Sequence, residues 1–317
     1  MNKKISIVIP AYNEEEIIAQ TLDRVISVLE INHYSNYELI ISNDGSSDQT
    51  LNILSKYSSS NKNIKVVNFS RNFGHEAATT AGLKYADGDY TFIIDADLQD
   101  PPELFPDMIK KMDETGSDII YGVRKSRKGE SFLKKASSKG FYRTFNMLSD
   151  IKFPVDTGDF RLINKKVLME FNRLSEKKKY VRGLFTWLGF IQEPFFYERE
   201  KRMGGKSKYN YSRLIRLAMD VIFSFSKKPL KLAFSIGLLC IFMTLGLLVY
   251  VIISKVSNSV PGWASTVTII IFFGGVQMFT VGVLGEYLSI IFDEVKNRPE
   301  FIISNTINVL KENEPTN

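Results

Sequence analysis

The sequence predicts an α/β protein: a doubly wound, mainly parallel sheet, followed by amphipathic juxtamembrane helices and a two-helix transmembrane hairpin. Three observations predict it. Short apolar runs alternate with segments of helical apolar spacing from residue 5 to about residue 121, the pattern of parallel strands joined by crossover helices. Three of those runs stop in polar motifs, Tyr12-Asn13-Glu14, Asn43-Asp44-Gly45 and Asp95–Gln99, and ligands of such sheets bind beyond the carboxyl ends of the strands. Two later stretches, 232–253 and about 264–285, are almost free of charge.

Ile5-Ser6-Ile7-Val8-Ile9 reads as the first buried strand. Asn13 is expected to cap a helix with Glu14, Glu15 and Glu16 in its first turn, where acids favour the positive end of the helix dipole. Ile17, Ile18, Leu22, Val25, Ile26 and Leu29 give that helix one apolar face. Leu39-Ile40-Ile41 and Val66-Val67 lie in the second and third strands. Residues 75–86 read as a helix, Tyr90–Ile94 as a strand, about 103–114 as a helix, and Ile119-Ile120-Tyr121 as a further strand.

Leu232–Ile253 carries no charge and spans about 33 Å as a helix, enough for a bilayer core of roughly 30 Å. The second span starts at Trp263, an interfacial anchor. Lys227, Lys228, Lys231, Lys296 and Arg298 flank the pair, while the connection holds only Lys255; the positive-inside rule then places both flanks in the cytoplasm. The division expected is 1–209 catalytic, 210–231 amphipathic, 232–253 and 263–287 transmembrane around an outside loop 254–262, and 288–317 a cytoplasmic tail, frayed after about Leu310. In the amphipathic helix Tyr211, Leu214, Ala218, Val221, Ile222 and Phe225 share a face, suited to a membrane surface or to another subunit. Glu286, at the inner end of the second span, reads as structural or as a partner for a nearby Lys or Arg, rather than as catalytic.

The formal net charge is +6, with the basic excess in 124–143 and 199–231. Beside membrane spans, that favours anionic lipid or a phosphorylated substrate over nucleic acid. One cysteine, Cys240, excludes a disulfide framework and a Cys-rich zinc site. The first apolar run is too short for a signal peptide core. The expected location is the inner membrane, multi-pass, with the N-terminal domain in the cytoplasm.

Asp95 and Asp97 follow a buried strand one residue apart. In extended backbone, side chains i and i+2 share a face, so both acids can hold one Mg²⁺ or Mn²⁺, with Gln99 a third oxygen ligand. Such hard ions leave positions for substrate phosphates. A strand end with solvated acids before a proline turn is the bland alternative. His33 and His75 show no metal-like spacing and read as structural or peripheral.

Six motifs together carry a family resemblance: Val8–Glu14, Asn43–Asp48, Ser70-Arg71-Asn72-Phe73-Gly74-His75, Asp95–Glu103, Asp156–Leu162 and Arg202-Met203-Gly204-Gly205-Lys206-Ser207-Lys208-Tyr209. In this order they resemble glycosyltransferase family 2, of GT-A fold, and within it the membrane-anchored polyprenyl-phosphate glycosyltransferases. This group includes dolichol-phosphate mannose synthases and bacterial undecaprenyl-phosphate sugar transferases. The resemblance covers nearly the whole chain, hairpin included.

It implies a nucleotide-sugar donor, a polyprenyl-phosphate acceptor, and inverting transfer. Pro10, Ala11, Tyr12, Asn13, Glu14 and Asp44 would hold base and ribose, with Asp95, Ala96 and Asp97 at the diphosphate through the metal. Asp44 also suits an Asx turn. Arg71 either reaches a phosphate or lies on the surface. The acceptor is already anionic, so cations that hold two anions together matter more than a general base. Arg161, Arg202 and Lys208 are the leading candidates for that, with Arg124 and Arg127 next and Ser207 in the same loop. Asp159 is either a base or the group that orients Arg161 or the acceptor, and Asp156 ranks below it. Lys134–Arg143 mixes cations with aromatics and reads as a headgroup loop or a solvated helix. The donor expected is a UDP-sugar of hexose type, for cell-envelope glycosylation. A homo-oligomer, possible as a tetramer, is also expected.

Two rivals share parts of this pattern. A polysaccharide synthase usually carries Gln-x-x-Arg-Trp, absent before Trp187. A non-catalytic scaffold on a transferase fold is opposed by intact Asp95, Asp97, Asp159 and Arg161. A dinucleotide-binding enzyme is disfavoured because no Gly-x-Gly-x-x-Gly follows the first strand.

Overall fold

The computed structural model describes residues 3–124, 157–177, 179–198, 219, 222–256 and 262–309. They fall into two compact units, the sheet with its helices and the pair of long apolar helices. The first unit holds an eight-stranded sheet in the order β7-β5-β6-β4-β1-β2-β3-β8.

In chain order the unit comprises β1 (Ile5–Ala11), α1 (Ile18–Ile31), β2 (Tyr37–Asn43), α2 (Thr50–Ser60), β3 (Ile64–Phe69), α3 (His75–Tyr85) and β4 (Tyr90–Ile93). A 3₁₀ turn at Pro102–Leu104 leads into α4 (Phe105–Thr115), β5 (Ile119–Arg124), β6 (Thr157–Asn164), α5 (Lys165–Arg173), α6 (Val181–Trp187) and β7 (Gln192–Tyr197). Strands β3, β2, β1 and β4 pair in parallel, as do β5 and β7; β6 runs antiparallel between β4 and β5. The expected doubly wound, mainly parallel sheet is present. Chain order reverses at β1, between β2 and β4, which opens a crevice at the carboxyl ends of these strands.

The central strands are buried on both faces, so they read as continuous apolar runs rather than alternating ones. On one face α1 buries Ile18, Leu22, Val25 and Leu29, as its spacing predicts, each worth about 1.5–3 kcal/mol. Phe105 of α4 stacks on Phe92 of β4 at 4.0 Å. On the other face Phe171 of α5 stacks on Phe185 of α6 at 4.8 Å. Asn164 caps α5, its side chain accepting from Val167 N.

Four expectations need correction. Asn13 is no helix cap: α1 begins at Ile18, and Asn13 sits at φ 53 with its Oδ1 accepting from Ser47 N at 2.8 Å. A tertiary partner won the side chain that local propensity assigned to the helix. β4 ends at Ile93, so strand alternation does not govern Asp95 and Asp97, and Leu98 between Asp97 and Gln99 is left-handed at φ 53. The polar run Thr157–Asn164, read only as a motif, is a central strand. Within 288–317, read as a tail, Ile303–Ile307 forms β8, antiparallel to β3 at the sheet edge.

The second unit contains α7 (Lys228–Val256) and α8 (Trp263–Lys296), both longer than the spans expected. Segments Lys228–Gly246 and Ile269–Lys296 are long and apolar enough to cross a membrane. Tyr287 of α8 packs its ring edge-on to Phe223 at 5.3 Å and donates its hydroxyl to Ser226 O at 2.6 Å. Most of the expected amphipathic helix, with Arg127, Arg202, Ser207, Lys208 and the segment Lys134–Arg143, lies outside the described residues.

Candidate active site

The crevice is lined by the segments that follow β1, β2, β3 and β4. After β1, Tyr12 is exposed and Asn13 is clasped to the loop after β2. Asn13 N donates to Ser46 Oγ at 3.0 Å, Glu14 N to Thr50 Oγ1 at 2.9 Å, and Glu15 N to Asp48 Oδ2 at 3.2 Å. In return Gln49 N donates to Glu15 Oε2 at 2.8 Å. The residues Pro10–Glu14 are thus shaped by hydrogen bonds from a second loop.

Asp44 is almost wholly buried. Its carboxylate accepts from Phe73 N at 2.6 Å and Gly74 N at 2.9 Å, which fixes the loop after β3. Burial pushes its carboxyl up, against the lowering effect of these two donors. Arg71 of that loop stacks over Phe73, 4.0 Å from the ring centre, and is exposed.

After β4, Ile94 N donates to Val8 O, and Ala96 O accepts from Thr21 Oγ1 of α1 at 2.7 Å. Asp97 Oδ1 accepts from Gln99 N at 3.1 Å, an Asx turn across left-handed Leu98. Asp95 points to a group that sequence reading left aside. His75 Nε2, at the start of α3, lies 3.6 Å from Asp95 Oδ1 and 3.0 Å from Asp159 Oδ2. Ligand-capable atoms of His75, Asp95 and Asp159 lie within 4.8 Å of one another. His75 is therefore not peripheral.

Asp159 of β6 is also forked by Arg182 of α6: Nε donates to Oδ1 at 2.6 Å and Nη2 to Oδ2 at 2.8 Å. Burial pushes the Asp159 carboxyl up, but Arg182 and His75 outweigh it and hold the group well below the ordinary value. Burial pushes Asp95 up to about 6, with His75 opposing. Burial pushes Glu76 up to about 7, reinforced by Asp159. Glu76 Oε2 accepts from Val181 N at 2.9 Å, and so anchors the first turn of α6 that carries Arg182.

Arg161, two residues along β6 from Asp159, is 3% exposed. Its guanidinium stacks over Phe185 at 4.9 Å and donates to Gly158 O at 3.3 Å. Burial lowers it to about 10. This buried setting suits the support of β6. Arg124, at the end of β5, lies 4.0 Å from Asp100, which accepts the Tyr197 hydroxyl. Sequence reading missed His75, Glu76 and Arg182; the only signal was His75 at the end of a motif already quoted.

The grouped ligand atoms of His75, Asp95 and Asp159 could hold a divalent cation. Asp95 Oδ1 is buried with no hydrogen-bond partner among the described residues, and Asp97 and Gln99 offer further oxygens nearby in sequence. Carboxylate and amide oxygens are the ligands Mg²⁺ and Mn²⁺ prefer.

Residues 6–171 match the model of Glycosyl transferase family 2, and residues 228–291 match the GtrB C-terminal hairpin. The glycosyltransferase YkcC of Bacillus subtilis is 43% identical, covering 96% of this chain and 94% of its own. The glycosyltransferase sll0501 of Synechocystis is 43% identical, covering 96% of each. The bactoprenol glucosyl transferase of Shigella phage SfII is 38% identical, covering 95% of this chain and 97% of its own. The chain belongs to glycosyltransferase family 2.

Proposed function

We propose that the protein transfers a hexose-type sugar, with inversion, from a nucleotide sugar to undecaprenyl phosphate in the cytoplasmic membrane. The observation that carries this reading is the joining of two parts in one chain. One is an acid–cation cluster around buried Asp159 at a sheet crevice; the other is an apolar helix pair matching the GtrB C-terminal hairpin. The similarity to a bactoprenol glucosyl transferase over nearly the full length supports the acceptor assignment. UDP is the preferred donor nucleotide.

The clasped loops of Asn13 and Ser46 would seat base and ribose. Asp95, Asp97 and Gln99 would hold Mg²⁺ or Mn²⁺, which supplies Lewis-acid stabilisation of the leaving diphosphate. The acceptor phosphate arrives as an anion and is its own nucleophile. Asp159, gripped by two cations, acts in this scheme as an anchor that orients His75 and Arg182 at the crevice, and not as a base. The chemistry then rests on holding two anions in line. Arg124 and Arg127, with Arg202, Ser207 and Lys208, are the proposed acceptor-phosphate contacts. Exposed Phe234, Ile271 and Val295 on α7 and α8 support insertion in lipid as a multi-pass hairpin, with the sheet unit in the cytoplasm. A tetramer is proposed; only monomer mass in detergent would overturn it.

The test is transfer of radiolabelled sugar into organic-extractable lipid. Purified protein receives undecaprenyl phosphate, Mg²⁺ or Mn²⁺, and a panel of UDP- and GDP-sugars, beside Asp97→Asn and Asp159→Asn. Metal-dependent labelling from one donor, lost in both variants, is expected. No product from any donor would favour the scaffold reading.

A further inference from the structure

Five polar groups form a continuous head-to-tail chain across the sheet. Asn13 N donates to Ser46 Oγ at 3.0 Å, and Ser46 Oγ donates to Asn43 Oδ1 at 2.5 Å. Asn43 Nδ2 donates to Asn68 Oδ1 at 2.7 Å, and Asn68 Nδ2 to Asn305 Oδ1 at 2.8 Å. The three asparagines occupy one row of the sheet: Asn43 pairs with Asn68 across β2 and β3, and Asn68 with Asn305 across β3 and β8. Asn43 and Asn68 are buried, where amides without partners are costly. Every donor points towards β8, so each bond polarises the next.

The last acceptor, Asn305, belongs to the strand that follows the long apolar helices in sequence. From Asn305 the order of side-chain choice runs inward. Its oxygen sets the orientation of the Asn68 amide, which sets that of Asn43, which turns the Ser46 hydroxyl and leaves its oxygen free to accept from Asn13 N. Asn13 has a left-handed backbone at φ 53, a conformation that asparagine tolerates but that needs holding. Ser46 and Ser47 hold it from both sides.

We infer that Asn305 is a positioning residue for the Asn13 loop, acting through Asn68, Asn43 and Ser46. The post-hairpin strand thereby completes the nucleotide subsite as well as the sheet edge. The second half of this statement rests on the reading of the Asn13 loop as a nucleotide site; the first half does not.

The experiment uses the full chain in lipid nanodiscs and two readouts. Hydrogen exchange reports the amides of Asn13 and Ser47 without any nucleotide. Steady-state transfer reports donor KM and kcat. Asn305→Leu keeps side-chain volume and removes the acceptor; Asn305→Asp keeps an acceptor oxygen. Asn308→Ala is the control, because Asn308 Nδ2 donates to Ser58 O and Ile64 O at the same strand's end and lies outside the chain of bonds.

Asn305→Leu should speed exchange at Asn13 and Ser47 and raise donor KM about threefold to tenfold, the loss expected of one hydrogen bond, with kcat unchanged. Asn305→Asp should restore both, and Asn308→Ala should lower the melting temperature without moving either. Unchanged exchange in Asn305→Leu overturns the positioning role. Equal effects in Asn308→Ala also overturn it, since any loosening of the edge would then suffice. Faster exchange in a protein that binds no UDP or GDP would uphold the positioning role and overturn the nucleotide reading.

Discussion

Arg182 meets Asp159 in a two-pronged ion pair, Nε to Oδ1 at 2.6 Å and Nη2 to Oδ2 at 2.8 Å, with the carboxylate buried. Removing Arg182 leaves buried Asp159 to His75 alone, and removing Asp159 leaves Arg182 without its carboxylate; breaking a buried pair typically costs about 3–5 kcal/mol. Removing both leaves neither half of this pair behind. Arg182→Gln and Asp159→Asn should each destabilise strongly, while the double variant should fall short of their sum by about 1–3 kcal/mol. Thermal or urea unfolding of the four proteins measures this. Additive losses would mean that the pair is not coupled. Transfer should fall at least about 100-fold in Arg182→Gln, because the crevice then loses the cation that Asp159 holds in place.

The proposed Mg²⁺ or Mn²⁺ at Asp95, Asp97 and Gln99 predicts metal-dependent transfer. Exhaustive chelation should abolish transfer, and Mn²⁺ or Mg²⁺ should restore it. His75 tests the boundary of the site, since it lies between Asp95 and Asp159. Mn²⁺ binding, read by electron paramagnetic resonance, should weaken at least about tenfold in Asp97→Asn. If His75 serves as an internal cation for Asp159, His75→Ala should alter transfer while leaving the Mn²⁺ spectrum in place. A changed Mn²⁺ coordination in His75→Ala would instead make it a ligand.

Gly45 and Gly116 share a backbone conformation, φ 63, but not an environment. A Cβ on Gly116 would meet nothing within 4 Å, whereas one on Gly45 would lie 2.3 Å from the carbonyl carbon of Arg71. Gly116→Ala isolates the backbone strain, about 1 kcal/mol. Gly45→Ala adds a collision between the loops after β2 and β3 and should cost about 2 kcal/mol more, with weaker nucleotide binding. Equal melting temperatures for the two variants would contradict the close approach of these loops.

The legible part of this protein was local. Apolar runs and helical spacing located β1 to β5 and α1, α3 and α4 because each pattern is written within one element, while α2, Thr50–Ser60, went unread. What stayed hidden depended on distant partners. Asn13 looks like a helix cap until Ser47 claims its side chain. Asp95 and Asp97 look like neighbours on a strand until β4 stops at Ile93. Thr157–Asn164 is too polar to read as a central strand, and burial of Asp159 and Arg161 within it is possible because Arg182 and Phe185 face them. Ile303–Ile307 is short and pairs with a strand far away in the sequence. His75 and Glu76 of α3 meet Arg182 of α6 from two elements far apart in sequence, and no spacing rule joins them.

Glu300 gives a pH dependence whose sign is fixed. It lies beside Thr80, Lys84 and Lys179, just before Phe301 stacks on Phe69 at 4.9 Å. Burial pushes its carboxyl from 4.5 up to about 7, against the lowering effect of Lys179. The folded chain therefore holds this proton between about pH 4.5 and 7 while the unfolded chain releases it. Stability from this group is full below about 4.5 and falls as pH rises towards 7, then stays level. Partial exposure reduces the effect to about 1–2 kcal/mol. Glu300→Gln removes the titration, so its melting temperature should exceed the wild type's more at pH 8 than at pH 5. A difference that is constant across that range would show that Glu300 titrates normally and that its docking beside α3 does not depend on its proton.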